Sequence, residues 1–385
     1  MGINNLNKFL RNNCPCIYEK IHISEYSFKK VAIDVSLYLC KFKSICGDTW
    51  LSAFINLISC LRKNEVHCVF IYDSGCVPEK EKERAERSAQ RAKLEEKVYK
   101  LEEAIEKFHL TCEIDQILID LYNKRKKSKH LPRLLRKPDT TTVDIPFVQE
   151  IVTKMRGQIL KISADDFKKT KQLFDILHVP YYDAPLEAET MCSDLCKRGL
   201  VDAVLSEDTD VLAYGAPVFL SKINTSDGTC IRIKYTALLE ELELKDTEFL
   251  DLCIMCGTDY NKNIFRVGPE KAYKYIQKYS SIDNITLNTT LDTKILNHVR
   301  GRELFTKYEQ RDIKIPYCGS PDFNKLQEFV FKHNIRVSVE GLKKAFLHQT
   351  TIIFEEDDIE RLEEIPVKED EELTIEFEKS AEDKK

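Results

Sequence analysis

The sequence is sparing with residues that interrupt regular structure: 12 glycines, 12 prolines and a single tryptophan in 385 positions. That scarcity excludes collagen-like and low-complexity chains. No apolar run reads as long enough to cross a bilayer, and the opening residues lack the apolar core of a secretory signal. Myristoylation is excluded by pattern, because Leu6 stands where Met1-Gly2-Ile3 would need a serine or threonine. The expectation is an intracellular chain with no membrane partner.

Cysteine is plentiful, but metal and disulfide patterns are not. The 14 cysteines include one CxxC, Cys253-Ile-Met-Cys256, with no second CxxC or HxxxH to complete a zinc site. Cys40, Cys60, Cys68, Cys112 and Cys230 sit singly in apolar segments. Small core hydrophobes in a reducing compartment are the expectation for them. What the chain does have is bulk: 43% apolar and 32% charged residues, enough for a sizeable core in one large α/β domain or two smaller ones.

The net charge of −5 hides an asymmetry. Residues 355–385 carry 15 acids and 5 bases, so the other residues sum to +5. That tail reads as disordered, having few apolar residues and heavy like charge. A mildly basic body suits a polyanion partner.

Three apolar runs each deliver acid at the carboxyl end: Lys-Val-Ala-Ile-Asp at Asp34, His-Cys-Val-Phe-Ile-Tyr-Asp at Asp73, and Asp-Ala-Val-Leu-Ser-Glu-Asp-Thr-Asp at Asp208 and Asp210. Runs of this kind predict strands buried on both faces of a parallel sheet. In open α/β sheets the ligand crevice lies outside those ends, where acids distant in sequence converge. Between Asp73 and Glu187 the pattern changes. Leu94, Val98, Leu101, Ile105, Phe108 and Cys112 alternate spacings of four and three, the seam of a paired helix. The excursion contains residues 124–137, eight bases and no acid, broken by Pro132 and followed by Pro138 and Thr140-Thr141-Thr142. Contact with nucleic-acid phosphates is the expected use.

A second acidic pair, Glu187 and Glu189, follows Pro185, which is placed in the first turn of a helix. Residues two apart do not share a helical face, so joint service needs a water or an irregular first turn. Asp259 follows another apolar run and a glycine. Each of these acids alone would read as a cap or a surface charge. Asp34, Asp73, Glu187, Glu189, Asp208, Asp210 and Asp259 together read as one site. Carboxylates without His or Cys favour Mg²⁺, with Mn²⁺ as substitute. A pair of such ions suits phosphodiester hydrolysis. Lys80 and Arg87, seven apart on the next helix, can hold a phosphate beside it, although Glu83–Arg87 also fits an ordinary i,i+4 pair.

In this order, Met1-Gly2-Ile3, the segments around Asp34 and Asp73, and residues 179–189, 206–218 and 251–276 resemble the flap endonuclease family of structure-specific 5′ nucleases (FEN/XPG-like). The resemblance covers most of residues 1–290. It implies an α/β fold with a central, mostly parallel sheet flanked by helices (PIN-like), a long helical arch and a helix–two-turn–helix module from about Leu252 to Gln277. The implied layout is a nuclease core in residues 1–78 and 166–250, an arch in 79–165, the module in 251–290, a helical region in 291–354 and a tail in 355–385. By resemblance the seven acids hold two divalent ions, with Asp34, Asp73 and Asp208 central to catalysis. Lys80 and Arg87 become the catalytic basic pair. Gly2 lies beside the site after Met removal, and the module grips duplex phosphates through Arg266, Gly268 and Lys271, usually with K⁺. The implied partner is flapped, branched or nicked DNA, and the implied protein is a monomer of the nucleus or another DNA-replicating compartment.

The departures are specific. Cys40 replaces the tyrosine that stacks on the base beside the scissile bond, and Tyr38 is expected to point elsewhere. Arg266 replaces the first glycine of the family's Gly-x-Gly-Pro turn. The Asp73–Glu187 interval is long for the arch. The sliding-clamp box fails, since Glu355 and Glu356 follow Gln349 and Ile352 where aromatics belong. Two other readings stand beside this one. A scaffold could bind DNA junctions on the same fold without turnover. A haloacid dehalogenase-like phosphatase would use Asp208 and Asp210, but leaves the Glu187/Glu189 pair unexplained.

Overall fold

A computed structural model describes residues 2–128, 143–157, 159 and 162–347. The rest of the basic stretch beyond Ser128, the Gln349–Glu356 positions of the failed clamp box and the acidic tail lie outside the described residues. The chain forms two units, Met1–Phe346 and Leu347–Lys385, and the whole sheet belongs to the first.

The apolar runs form strands as their β-branched and aromatic content dictates. The seven are β1 (Glu19–His22), β2 (Lys30–Asp34), β3 (His67–Tyr72), β4 (Tyr181–Asp183), β5 (Ala203–Leu205), β6 (Val218–Ser221) and β7 (Thr229–Lys234). They lie in the order β1-β7-β6-β5-β2-β3-β4. From β6 across to β4 every neighbouring pair is parallel; β7 alone is reversed, antiparallel to both β6 and β1. The expected mostly parallel sheet is what forms.

Register explains the convergence of acids. Asp34 lies opposite Ile71 on β3, and Ile33 lies opposite Leu205 on β5. The carboxyl ends of β2, β3 and β5 therefore open on one edge. The chain moves from β2 to β3 and β4 on one side, then crosses over to β5 and β6 on the other. That places a topological switch at β2/β5, where crevices form.

Alternate residues of the central strands serve opposite layers, as a period of two requires. Ala32, Val69, Ile71 and Val204 face a core shared with helices Leu6–Asn13, Ala188–Lys197 and Asp246–Cys256. Val31, Ile33, Phe70 and Leu205 face one built with Val35–Cys46, Trp50–Lys63 and Ala164–Ile176. Cys253 and Cys256 are buried in the first of these cores, and all 14 cysteines are free thiols.

A separate cluster holds the excursion together. Helix Glu81–Thr111, 31 residues and so about 46 Å long, buries Val98, Leu101, Ala104 and Ile105 against helices Gln116–Ser128 and Ile145–Gly157. The predicted seam is real from Leu94 to Phe108, but Cys112 does not belong to it. That residue is the exposed left-handed cap of the helix, at φ 58°, where the chain has already turned away. The first half of the helix, near the sheet, is almost wholly exposed.

One expectation needs amending. Residues Val35–Lys63 are long and apolar enough, by length and composition, to cross a membrane. The stretch folds as two helices joined by a 3₁₀ turn at Gly47, with Tyr38, Phe54, Ile55 and Ile58 fully buried in the protein core. Its hydrophobicity is spent on packing.

Candidate functional site

Each acid reaches the sheet edge by a different local route. Asp34 ends β2 and caps helix Val35–Cys46, accepting a hydrogen bond from Leu37 N at 3.2 Å. Asp73 follows β3 and accepts one from Ala188 N at 2.8 Å, which ties it to the helix carrying the glutamate pair. Beyond β5, Asp208 accepts from Asp210 N at 2.9 Å, and Asp210 opens the short helix Asp210–Ala213.

The glutamate pair resolves the two-apart problem by geometry. Pro185 is not in the helix, contrary to expectation; the helix begins at Ala188, and Glu187 is its N-cap with extended backbone (φ −105°, ψ 136°). One residue is outside the helix and the other in its first turn, so both carboxylates reach the same point. That point is the Lys80 ammonium, 3.0 Å from Glu187 Oε1, 2.9 Å from Glu189 Oε1 and 3.8 Å from Asp259 Oδ2. Lys80 is buried at the end of the 3₁₀ turn Pro78–Lys80. Arg87, on the following helix, donates to both oxygens of Asp259 at 3.0 and 3.1 Å. It also pairs with Glu83, so the ordinary helical pair and the site contact coexist.

The electrostatics show strain. Burial, then Asp73 and Glu189, raise the Asp34 carboxyl well above the usual carboxylate range. Asp210 is raised likewise by burial, Asp208 and Glu189. Glu189 is pushed up to about 8 by burial, with Asp208 and Glu187 adding to it and Lys80 opposing. Burial pulls the Lys80 ammonium down, yet Glu189, Glu187 and Asp210 outweigh it and raise it overall. Seven carboxylates thus meet only two bases.

These residues fit divalent cations. Both carboxylate oxygens of Asp210 are buried without a hydrogen-bond partner, a costly state unless a cation answers them. Among the described residues, no three acids, His or Cys already converge on one ion-sized point; the Lys80 ammonium fills the centre between Glu187, Glu189 and Asp259. The donor set is all oxygen, which suits Mg²⁺ or Mn²⁺.

Gly2 is sewn against the same loop. It sits at φ +80°, and an added Cβ would lie 2.1 Å from Asp208 Oδ1, so no other residue fits. Next to it Ile3 N donates to Thr209 Oγ1 at 3.0 Å, and Asn4 N to Gly257 O at 3.0 Å. Glu207, by contrast, is turned away: it pairs with Lys41 at 2.6 Å and takes no part in the cluster.

Arg266, Gly268 and Lys271 lie outside the cluster: Arg266 and Gly268 on the turn joining helices Asp246–Cys256 and Pro269–Tyr279, and Lys271 in the first turn of the second helix. Arg266 adopts φ 62° where the family's glycine would be at ease, and its guanidinium stacks 5.0 Å over the 82%-exposed Phe265. Gly268 has open space where a Cβ would project, and Lys271 is exposed. As expected, Tyr38 is buried in the core, while Cys40 is half-buried, its thiol raised by burial and then by Asp34.

Two residues escape a reading of the sequence. Tyr260 donates to Glu187 Oε2 at 2.7 Å, and its hydroxyl meets that of Tyr214 at 2.6 Å. The Tyr260 ring also lies 5.0 Å from the Lys80 ammonium. Its one signal was adjacency to Asp259; Tyr214 gave none beyond an apolar run.

Residues 1–94 match the XPG N-terminal domain and residues 178–259 the XPG I-region. Those two spans contain all seven acids, Lys80, Arg87 and Gly2. The chain is 33% identical over 387 residues to "Probable RAD2-like endonuclease 369L" of Invertebrate iridescent virus 6, covering 90% of this chain and 92% of that protein. To "Flap endonuclease 1" of Drosophila grimshawi it is 28% identical over 382 residues, covering 91% and 87%. Among solved structures, the catalytic core of Rad2 in complex with DNA substrate aligns at TM-score 0.60 and 16% identity, covering 90% of this chain and 99% of that one. Flap endonuclease-1 from Methanococcus jannaschii aligns at 0.54 and 20%, covering 86% and 94%. At such identities the structures establish a shared fold.

Proposed function

Because the chain belongs to the XPG, or RAD2-like, family of structure-specific 5′ nucleases, we propose that it cuts DNA phosphodiester bonds at 5′-flap or branched junctions, using divalent ions held by the acid cluster. Asp34, Asp73, Glu187, Glu189, Asp208, Asp210 and Asp259 would hold two such ions. When bound, magnesium supplies charge stabilisation and a water reactive at neutral pH. The observation that carries this reading is the Asp210 carboxylate, whose buried oxygens have no partner within the protein.

The chain's own groups then divide the work. Asp34, Asp73 and Asp208 fix the reacting edge from the ends of rigid strands. Lys80 and Arg87 offer positive charge to the scissile phosphate, a contribution of about 10²–10³ in rate for one preorganised donor. The Tyr260 hydroxyl holds Glu187 toward Lys80. Arg266, Gly268 and Lys271 take duplex phosphates, with a potassium ion at that turn as the family resemblance implies. Gly268 suits the task because open space lies over its Cα. Manganese would replace magnesium. The protein would act as a monomer wherever its cell replicates or repairs DNA.

The test is cleavage of an end-labelled 5′-flap duplex with Mg²⁺, with chelator, and by Asp208→Asn. Metal-dependent cutting lost in the variant, with DNA binding kept, is the expected result. Tight binding with no cutting under any metal would favour a scaffold instead.

A further inference from the structure

At the amino ends of the strands, opposite the acid cluster, lies a group of reactive side chains that the mechanism does not use. Residues 307–322 run without regular structure from helix His298–Thr306 to helix Phe323–Lys332. On the way they strap β2, β3 and β4. Lys30 Nζ donates to Ile315 O at 2.7 Å, the Tyr182 hydroxyl to Lys314 O at 2.9 Å, and Cys318 N to His67 Nδ1 at 3.0 Å. The Tyr317 ring packs edge to face on His67 at 4.6 Å. Cys318 arrives with its Sγ 3.3 Å from Cys68 O, and both cysteines are buried in the same core layer. Two thiols 250 positions apart are thereby neighbours, and the Cys68 thiol hydrogen-bonds the Cys318 sulfur.

Beside them lies a buried charge. Arg62 is 8% exposed; its guanidinium contacts His67 Nδ1 at 2.7 Å, and its Nε is buried without a hydrogen-bond partner. A guanidinium stays protonated in a protein, and burying it without an anion is costly. Among the described residues no carboxylate pairs with Arg62, which leaves the Cys318 sulfur to carry the answering negative charge. Burial works against a thiolate there, yet hydrogen bonds from Cys68 and His67 and the Arg62 charge outweigh it and hold the Cys318 thiol well below its ordinary value. Cys68 is pushed the other way, by the hydrogen bond to Cys318 and then by burial. A thiolate against a thiol is what disulfide exchange requires. Metal binding is the poorer use, since among the described residues no three His, Cys or acids are arranged to hold an ion.

We propose that Cys68 and Cys318 are a redox-active pair, oxidised to a disulfide by a small-molecule disulfide, and that the bond ties residues 307–322 covalently to β3. Cys318 attacks one sulfur of the small disulfide, breaks its S–S bond and expels the first thiol. Cys68 then gives up its proton, attacks the Cys318 sulfur and expels the second. Two protein thiols lose two electrons, the small disulfide gains them, and both protons leave on its two thiols. Both sulfurs are buried, so exchange proceeds when the strap lifts, a local opening open to a segment without regular structure. Asp73 lies five residues beyond Cys68, about 16 Å along the strand. The bond therefore acts on stability and leaves the acid cluster alone, and the proposal stands apart from the nuclease reading.

In the experiment the reduced full chain is incubated natively with oxidised glutathione, denatured in excess iodoacetamide and digested without reductant. Mass spectrometry maps the sulfurs in wild type, Cys68→Ser and Cys318→Ser. Thermal melts compare oxidised wild type with the same sample after dithiothreitol.

Expected in wild type is a linked peptide pair containing Cys68 and Cys318. Closing a loop of that length should raise the melting temperature by about 5 °C, reversed by dithiothreitol. Cys68→Ser should stop at a glutathione adduct on Cys318, and Cys318→Ser should form neither the link nor an adduct on Cys68. If either variant does not fold, the wild-type map and melt decide alone. Cys68 and Cys318 recovered on separate peptides from wild type, or either one linked to another cysteine, overturn the pair. An adduct on Cys68 in Cys318→Ser with none on Cys318 in Cys68→Ser overturns the order of attack. A linked pair that melts no higher than the reduced protein overturns the tie.

Discussion

Replacing Lys80 with methionine keeps the carbon stem and removes the charge at the centre of the cluster. The ammonium lies 3.0 Å from Glu187 and 2.9 Å from Glu189. At an effective dielectric of 20, the Glu187 contact is roughly 5 kcal/mol of attraction, and Glu189 adds a like amount only above about pH 8, where it gives up its proton. Desolvating the buried ammonium cancels much of that. Removing one partner of a buried ion pair costs about 3–5 kcal/mol in practice. For a unit of this size that corresponds to about 4–7 °C in melting temperature. Lys80→Met should therefore melt lower than wild type in chelator. Magnesium should reverse the order of effects, because the variant has lost the internal cation that competes for Glu187 and Glu189. The rise in melting temperature on Mg²⁺ titration should be larger for Lys80→Met, with tighter apparent Mg²⁺ binding, while cutting of the 5′-flap substrate falls about 10²–10³-fold. Calorimetric titration with Mg²⁺ and flap cleavage read the two sides. Weaker Mg²⁺ binding in the variant would refute the placement of Lys80 as the cluster's resident counter-charge.

Three further outcomes follow from the same geometry. Asp210→Asn removes a buried carboxylate with no partner, so thermal melts in chelator should show no loss of stability while Mg²⁺ stabilisation and cutting disappear; a clear drop in chelator would mean that the carboxylate is satisfied after all. Glu189, with its usual value of 4.5 pushed up to about 8, keeps a proton in the folded metal-free state that the unfolded chain has released. That contribution is fully present below pH 4.5 and lost as pH rises through 8, so metal-free stability should fall between about pH 5 and pH 8. Urea melts in chelator that show stability rising across this window would contradict it. Arg266→Ala should weaken binding to flap and plain duplex alike and lower the salt slope by about one phosphate contact, whereas an unchanged slope would remove Arg266 from the interface.

The sequence announced the strand-borne acids because two signals coincide there. A run buried on both faces marks a parallel strand, and its carboxyl end marks the crevice, so Asp34 and Asp73 were legible from local pattern alone. Asp208 and Asp210 were legible for the same reason, although Glu207 between strand and pair belongs to Lys41 instead. The glutamate pair was harder. Its geometry depends on whether the helix begins at Pro185 or at Ala188, and a shift of that size decides whether two side chains share a face. Tyr260 showed only as a neighbour of Asp259, and Tyr214, buried beside an apolar run, looks like core until its hydroxyl's partner is known. Cys112 continued the arithmetic of the arch seam but not its surface, because a left-handed cap ends the helix there. The apolar stretch Val35–Lys63 shows the converse: hydrophobicity fit for a membrane is absorbed by two core helices.

The central claim is that the acid cluster is a divalent-cation site. Anomalous diffraction at the manganese edge, from crystals grown with Mn²⁺ and a non-cleavable 5′-flap duplex, tests it most directly. The account predicts manganese peaks inside the cluster, with Asp210 among the ligands and the Lys80 ammonium displaced from the centre. A clean map with Lys80 still seated between Glu187 and Glu189, and no peak beside Asp210, would contradict it.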